Sequence, residues 1–207
     1  MFSDMLHAFA EYKVLTAVLI VSYALLLFVG VKASRAVRRH NAARDAVLKK
    51  LREEAALRQK YGALTRETAL SADAGELLHG TALCVQRALE DENDLTAAFR
   101  ALPAPKQYVY AWNYLLCEDA ETLSAFFRLN GKPLTDAALE GARAAFDVLH
   151  RDTFERGYRM FDPDDETVSV LPEDVRKLDE DFAAERDVLL RSIQQYIADH
   201  TDPLKGE

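Results

Sequence analysis

The sequence predicts an all-α protein, one N-terminal transmembrane helix joined to a multi-helix globular domain. Three observations carry that expectation. Glycine and proline are scarce, 8 and 6 in 207 residues, which disfavours a fold of many short strands and turns. Apolar residues recur at three- and four-residue spacing through the second half of the chain. Asp, Thr and Pro stand repeatedly where helices would begin.

The first element is the run Val14 to Val31, VLTAVLIVSYALLLFVGV, which is uncharged and bracketed by Lys13 and Lys32. Eighteen helical residues span roughly 27 Å, close to the hydrocarbon thickness of a bilayer. A cleaved signal peptide would place its cations before the apolar run and small residues after it. Here Lys32, Arg35, Arg38 and Arg39 follow the run. A buried core helix would not need so long and uniform an apolar stretch. Because basic flanks resist translocation, residues 1–13 are expected outside the inner membrane and everything after the anchor in the cytoplasm.

Residues 32–66 form the next segment. They hold 11 Lys/Arg against 3 Asp/Glu, a basic collar suited to anionic lipid headgroups. Between Lys32 and Lys60 no aromatic residue interleaves with the cations, so direct nucleic-acid binding is not expected. Val47, Leu48, Leu51, Ala55 and Leu57 make a thin apolar stripe on a helical stalk, Gly62 reads as its stop, and Thr65 to Ala74 reads as a polar linker.

Residues 67–203 are expected to form the acidic domain. From Glu67 onward 29 Asp/Glu face 14 Lys/Arg, an imbalance hidden in the net charge of −8 for the whole chain. Seven helices are expected there. Asp73 to Leu89 places Leu77, Leu78, Cys84, Val85 and Leu89 at helical spacing. Asp94 caps a short helix that ends near Leu102, before Pro103 and Pro105. Lys106 to Cys117 carries Tyr108, Val109, Trp112, Leu115 and Leu116.

Asp119 is expected to cap the next helix, with Leu123, Phe126 and Phe127 inward and Asn130-Gly131 at its end. Thr135 would cap a helix through Leu139, Ala142 and Phe146. Phe154, Tyr158 and Phe161 mark another. Pro172 opens a long helix through Leu178, Phe182, Leu189, Ile193 and Ile197. Only Thr167 to Leu171 reads as extended.

Sequence motifs of familiar chemistry are missing. There is no HExxH, no GxSxG, no phosphate-binding or dinucleotide glycine loop and no spaced Cys/His set. No catalytic residue, cofactor or metal is therefore assigned, and binding is expected rather than catalysis. His150 and His200 read as helix-end residues near the negative end of a dipole. Cys84 and Cys117 read as small buried hydrophobes. Asp162, Asp164, Glu166 and Glu173 fall at positions 1, 3, 5 and 12 of a calcium loop, but Thr167 stands where the sharp turn needs glycine, so a solvated turn is expected.

Two stretches resemble a bacterial family named after a DNA-mimic protein, whose C-terminal-domain-like members are mostly of unknown function. The first runs from Leu102 to Phe146, where Leu123, Phe126, Phe127, Asn130 and Gly131 match the family pattern. The second is Leu178 to Phe182 with Tyr196-Ile197. Where family members carry a Gly-Gly pair, this chain has Glu118 to Glu121, which marks a divergent branch. The resemblance implies an all-α fold without known catalysis and, for the namesake, carboxylates that imitate DNA phosphates.

The matching candidates here are Glu166, Glu173, Asp174, Asp179, Glu180, Asp181, Glu185 and Asp187, dense enough to attract a basic protein partner. A solvated acidic face explains them as well. Two roles follow as expectations: a membrane-tethered module that binds a basic partner, or a structural component of a membrane-associated assembly. Neither the partner nor the oligomeric state is encoded in these patterns.

Overall fold

A computed structural model describes residues 13–117, 122–161 and 170–205; within 13–43 it describes side chains only at 17, 18, 21–23, 26, 28, 32 and 41. Every regular element among these residues is a helix, as expected. In chain order they are α1 (Lys13–Tyr61), α2 (Arg66–Ser71), α3 (Ala74–Arg87), α4 (Leu95–Ala101) and α5 (Ala104–Leu116). Then come α6 (Leu123–Leu129), α7 (Leu134–Ala145), α8 (Val148–Met160), α9 (Pro172–Asp199) and α10 (Thr201–Leu204).

The chain divides into two compact units, Met1–Arg52 and Glu53–Glu207. In the first, α1 runs through the expected anchor without a break. Val18, Val21, Tyr23, Leu26 and Phe28 are all more than half exposed, and Lys32 Nζ sits 5.1 Å from the centre of the Phe28 ring. Among the described residues no helix is long and apolar enough to cross a membrane. Most side chains of 14–31 lie outside the described residues, and so does the whole leader 1–12. Val47, Leu48 and Leu51 are exposed too.

The second unit begins upstream of residue 67. Tyr61 and Leu64 are each 1 % exposed and belong to its core. The stretch expected as a linker holds α2, because Thr65 accepts from the Thr68 backbone N–H while Thr68 Oγ1 accepts from the Thr65 N–H. That reciprocal cap satisfies two amide donors, the usual business of a Glu or Gln at the third position, which is why the sequence pattern hid it. Gln194 on α9 then holds the far end of α2, donating to Ala69 O at 2.9 Å and to Ala72 O at 2.8 Å.

The seven expected helices are present as α3 to α9, with local corrections. Asp73, Asp94 and Asp147 cap α3, α4 and α8 through their carboxylates. Pro172 occupies the first turn of α9. Helix α5 begins at Ala104, with Pro103 as its cap and Pro105 in its first turn, two residues before the expected start. Proline is tolerated there because first-turn amides have no partner within the helix anyway. Helix α6 is capped by Thr122, which accepts from Ala125 N–H; Asp119 lies outside the described residues. Helix α7 is preceded by Pro133, and Thr135 sits within it, 3 % exposed, instead of capping it.

Helix α5 lies at the centre of the unit, packed against α3 and α7, while α9 closes over α2, α3, α6 and α8. Trp112 is wholly buried. Phe146 stacks on it at 5.7 Å and Tyr196 meets it edge-on at 5.3 Å. Two glycines make the close approaches. A Cβ on Gly141 would stand 2.6 Å from Trp112, and one on Gly80 would stand 2.2 Å from the Tyr61 ring. Each of these buried rings stabilises the unit by about 1.5–3 kcal/mol.

Candidate functional site

The acidic residues of α9 do not form one face. A helix turns about 100° per residue, so the carboxylates between 173 and 187 point in several directions. Asp179 points inward: its Oδ1 accepts from Ser124 N–H at 2.8 Å and its Oδ2 from Ser124 Oγ–H at 2.6 Å. It thereby serves as an additional acceptor for the first turn of α6. Asp181 is ion-paired with Arg156 on α8 at 2.6 Å. Glu185 is half-buried, and its Oε2 is shielded from solvent without a hydrogen-bond partner.

The remaining carboxylates are exposed. Glu173 and Asp174 lie in the first turn of α9, where negative charge is favourable to the dipole. Glu173, Glu180 and Asp187 follow each other at seven-residue intervals, so they share one stripe, roughly 10 Å apart along the axis. Arg176 pairs with Glu180 at 2.6 Å, and Arg191 Nε donates to the backbone carbonyl of Asp187 at 3.3 Å. The stripe therefore carries cations among its carboxylates. Glu166 lies outside the described residues, as do Asp162, Asp164 and most of the stretch expected as extended.

The residues that carried the family resemblance have structural work. Leu123, Phe126 and Phe127 are at most 5 % exposed. Asn130 ends α6 and its Nδ2 donates to Phe126 O at 2.9 Å. Gly131 has open space around it and no positive φ, so no left-handed glycine cap closes the helix.

Two assignments of reactive side chains change. Cys117 is exposed and Cys84 half-buried, because Cys117 falls at the end of α5 and not on its buried side, its Sγ 3.8 Å from Gly75 O. His150 lies in the first turn of α8, not at a negative helix end. Its backbone N–H donates to Asp147 Oδ1 at 3.1 Å, and its ring Nδ1 is 2.6 Å from that oxygen. The His150 contacts hold the Asp147 carboxyl below its ordinary range. His200 does end α9, stacked on Tyr196 at 4.1 Å. Among the described residues no three His, Cys, Asp or Glu side chains are grouped to hold a metal ion.

A cavity of about 870 Å³ opens between the end of α1, α3, α4, the start of α5 and α10. Val85, Leu89, Leu102 and Leu204 supply apolar wall, and Arg58, Arg87, Lys106 and Lys205 supply cations, against the single carboxylate of Glu92. Cys84 lies in it, its Sγ 3.5 Å from Arg58 O. Burial pushes the Cys84 thiol up, while Arg58, Arg87 and Lys106 pull it the other way. Sequence spacing could not assemble this cavity. Its cations come from four separate segments, Arg58 from the basic collar and Arg87, Lys106 and Lys205 from a region where acids outnumber bases two to one.

Comparison of the chain with protein-family models, with curated proteins and with solved structures finds no match in any of the three.

Proposed function

We infer that the chain is a single-pass membrane protein that holds an all-α binding module at the cytoplasmic face of the inner membrane. The observation that carries this reading is the uncharged run 14–31 followed at once by Lys32 and the basic collar. The half-or-more exposure of Val18, Val21, Leu26 and Phe28 on a helix supports it, since water gives such a surface no favourable environment. Lipid would contact residues 14–31, and anionic headgroups the collar.

On this reading the module takes a basic protein partner along the exposed stripe of Glu173, Glu180 and Asp187, with Asp174 beside it. Asp179 and Asp181 already serve α6 and α8. Mixed charge along the stripe suits an ion-paired protein contact better than a run of imitated DNA phosphates. Membranes washed in alkaline carbonate should retain the chain, and protease added outside should spare the C-terminal domain. Release by carbonate would overturn the anchor. A partner recovered with the full-length chain should elute with salt and be lost from Glu173→Gln, Glu180→Gln, Asp187→Asn together.

A second reading is favoured by the exposed apolar side chains of Val47, Leu48 and Leu51. They fit a structural component that assembles through its stalk. In that case the full-length chain should cross-link to itself in membranes, and Leu48→Glu with Leu51→Glu should abolish the cross-link while the acidic-stripe variants leave it unchanged.

A further inference from the structure

The cavity beside Cys84 concentrates positive character in the most acidic part of the chain. Four observations define it. Arg87 and Lys106 line it, and among the described residues neither makes an ion pair. Arg58 also lines it; one guanidinium nitrogen pairs with Glu90 at 2.8 Å, while Nε is shielded from solvent without a partner. A buried donor left unmade is costly unless something fills the role.

The third observation is the start of α5. Pro103, its cap residue, and Lys106 in its first turn border the cavity, so the positive end of the helix dipole lies beside it. Pro105 has no N–H and the Lys106 N–H is bonded to Pro103 O, so this start adds a dipole field and not a set of free donors. Opposed to these groups is Glu92, the one carboxylate of the lining. The α3 carboxyl end also reaches the cavity, with Arg87 in its last turn to offset it.

The fourth observation is the apolar lining. Ala97 and Ala101 are exposed and Ala98 and Leu102 half-buried where they border the same space. Cations and accessible aliphatic lining in one cavity match a molecule that carries both an anionic head and an apolar tail. The volume lies within the roughly 300–1,000 Å³ usual for small-molecule sites.

We propose that this cavity binds a single-chain anionic amphiphile, with a phosphate or carboxylate head at Arg58, Arg87 and Lys106, and an aliphatic tail along Ala98, Ala101 and Leu102. The site lies apart from the acidic stripe of α9 and does not depend on a basic protein partner. A bare anion would leave Ala98, Ala101 and Leu102 without an apolar partner, and an uncharged chain would leave Arg87 and Lys106 without a counter-charge.

The test uses the full-length chain in nanodiscs of zwitterionic phosphatidylcholine and a dodecyl phosphate that carries a diazirine on its tail. After irradiation the modified peptides are mapped by mass spectrometry. Labelling should fall within 85–102 or at Leu204, and unlabelled dodecyl phosphate should compete it away. Dodecanol and inorganic phosphate at equal concentration should each compete at least about tenfold less well. Arg87→Gln with Lys106→Gln should weaken labelling about tenfold and leave the buried environment of Trp112 unchanged by fluorescence. Ala101→Trp, which fills the cavity from its lining, should also remove it.

Labelling confined to residues 14–31 would overturn the proposal, since it would report partition into the bilayer alone. Equal competition by dodecanol would reduce the site to an apolar crevice, and equal competition by inorganic phosphate to a plain anion site. Either result would also overturn it. Carboxylate and phosphate heads are separated by repeating the competition with dodecanoate.

Discussion

Asp179 reaches across 55 positions to take both the backbone N–H and the hydroxyl of Ser124, at 2.8 Å and 2.6 Å. Within a run of acids that reads as solvated or as a docking surface, this one joins two helices. It supplements the Thr122 cap of α6, leaving fewer first-turn amides without an acceptor. The local density of carboxylates in a sequence thus says little about which of them are available to a partner.

Asp179→Ala is therefore expected to destabilise the domain by about 1–3 kcal/mol, the usual range for a charged acceptor withdrawn from part-buried donors. Asp187→Ala, at an exposed position, should change stability by less than about 0.5 kcal/mol. Chemical denaturation followed through Trp112, the one tryptophan of the chain, reads both. Equal effects would refute the assignment of Asp179 to the fold.

Gly80→Ala should be destabilising by about 1–3 kcal/mol despite the better helix propensity of alanine, because the new methyl would overlap the Tyr61 ring. Gly131→Ala, with open space and no positive φ, should be neutral or stabilising by up to about 1 kcal/mol. Unfolding midpoints of the two variants, compared at equal ionic strength, decide the matter.

Burial pushes the Tyr196 hydroxyl up to about 12, against about 10 for an unfolded tyrosine. The folded state therefore holds the proton more tightly. The stability linked to Tyr196 is fully present below about pH 10 and is lost as pH rises toward 12. Tyr61 and Tyr108 are also pushed up by burial and add to the same decline. Tyr196→Phe should flatten part of it, which urea midpoints between pH 9 and 11.5 would show.

The two thiols should differ in reactivity. Cys117 is exposed, while burial pushes Cys84 up and leaves it half-covered. A maleimide at neutral pH should modify Cys117 about tenfold faster or more, as intact-mass time courses of Cys84→Ser and Cys117→Ser would reveal. Comparable rates would mean that the Cys84 cavity opens more often than its packing implies.

Helix existence was legible where apolar spacing and a capping residue agreed. Asp73, Asp94 and Pro172 mark the starts of α3, α4 and α9 because each signal is local and chemically specific. Helix α2 escaped notice because it is six residues long and Thr68 stands in for the expected acidic partner. Thr135 was misassigned because a Thr at the cap and a Thr two residues further in, within the first turn, look alike without the neighbouring packing. The inward side of the long α9 was legible through Leu178, Phe182, Leu189 and Ile193. The loss of Asp179 and Asp181 to internal contacts was not, since Ser124 and Arg156 lie 55 and 25 positions away. The basic cavity had no local signature: Arg87, Lys106 and Lys205 are scattered through the acidic region, and Arg58 is one cation among many in the basic collar.

The burial of Tyr61 beneath Gly80, with Leu64 beside it, sets where the chain can be cut. A protease that nicked between Leu64 and Glu67 would take the floor out of the folded body, leaving a hollow the size of a tyrosine and a leucine at its centre. Cleavage before Glu53 would instead set free a body with all its stuffing. Release of an intact 53–207 body is thus permitted at one short stretch of α1 and forbidden a dozen residues later.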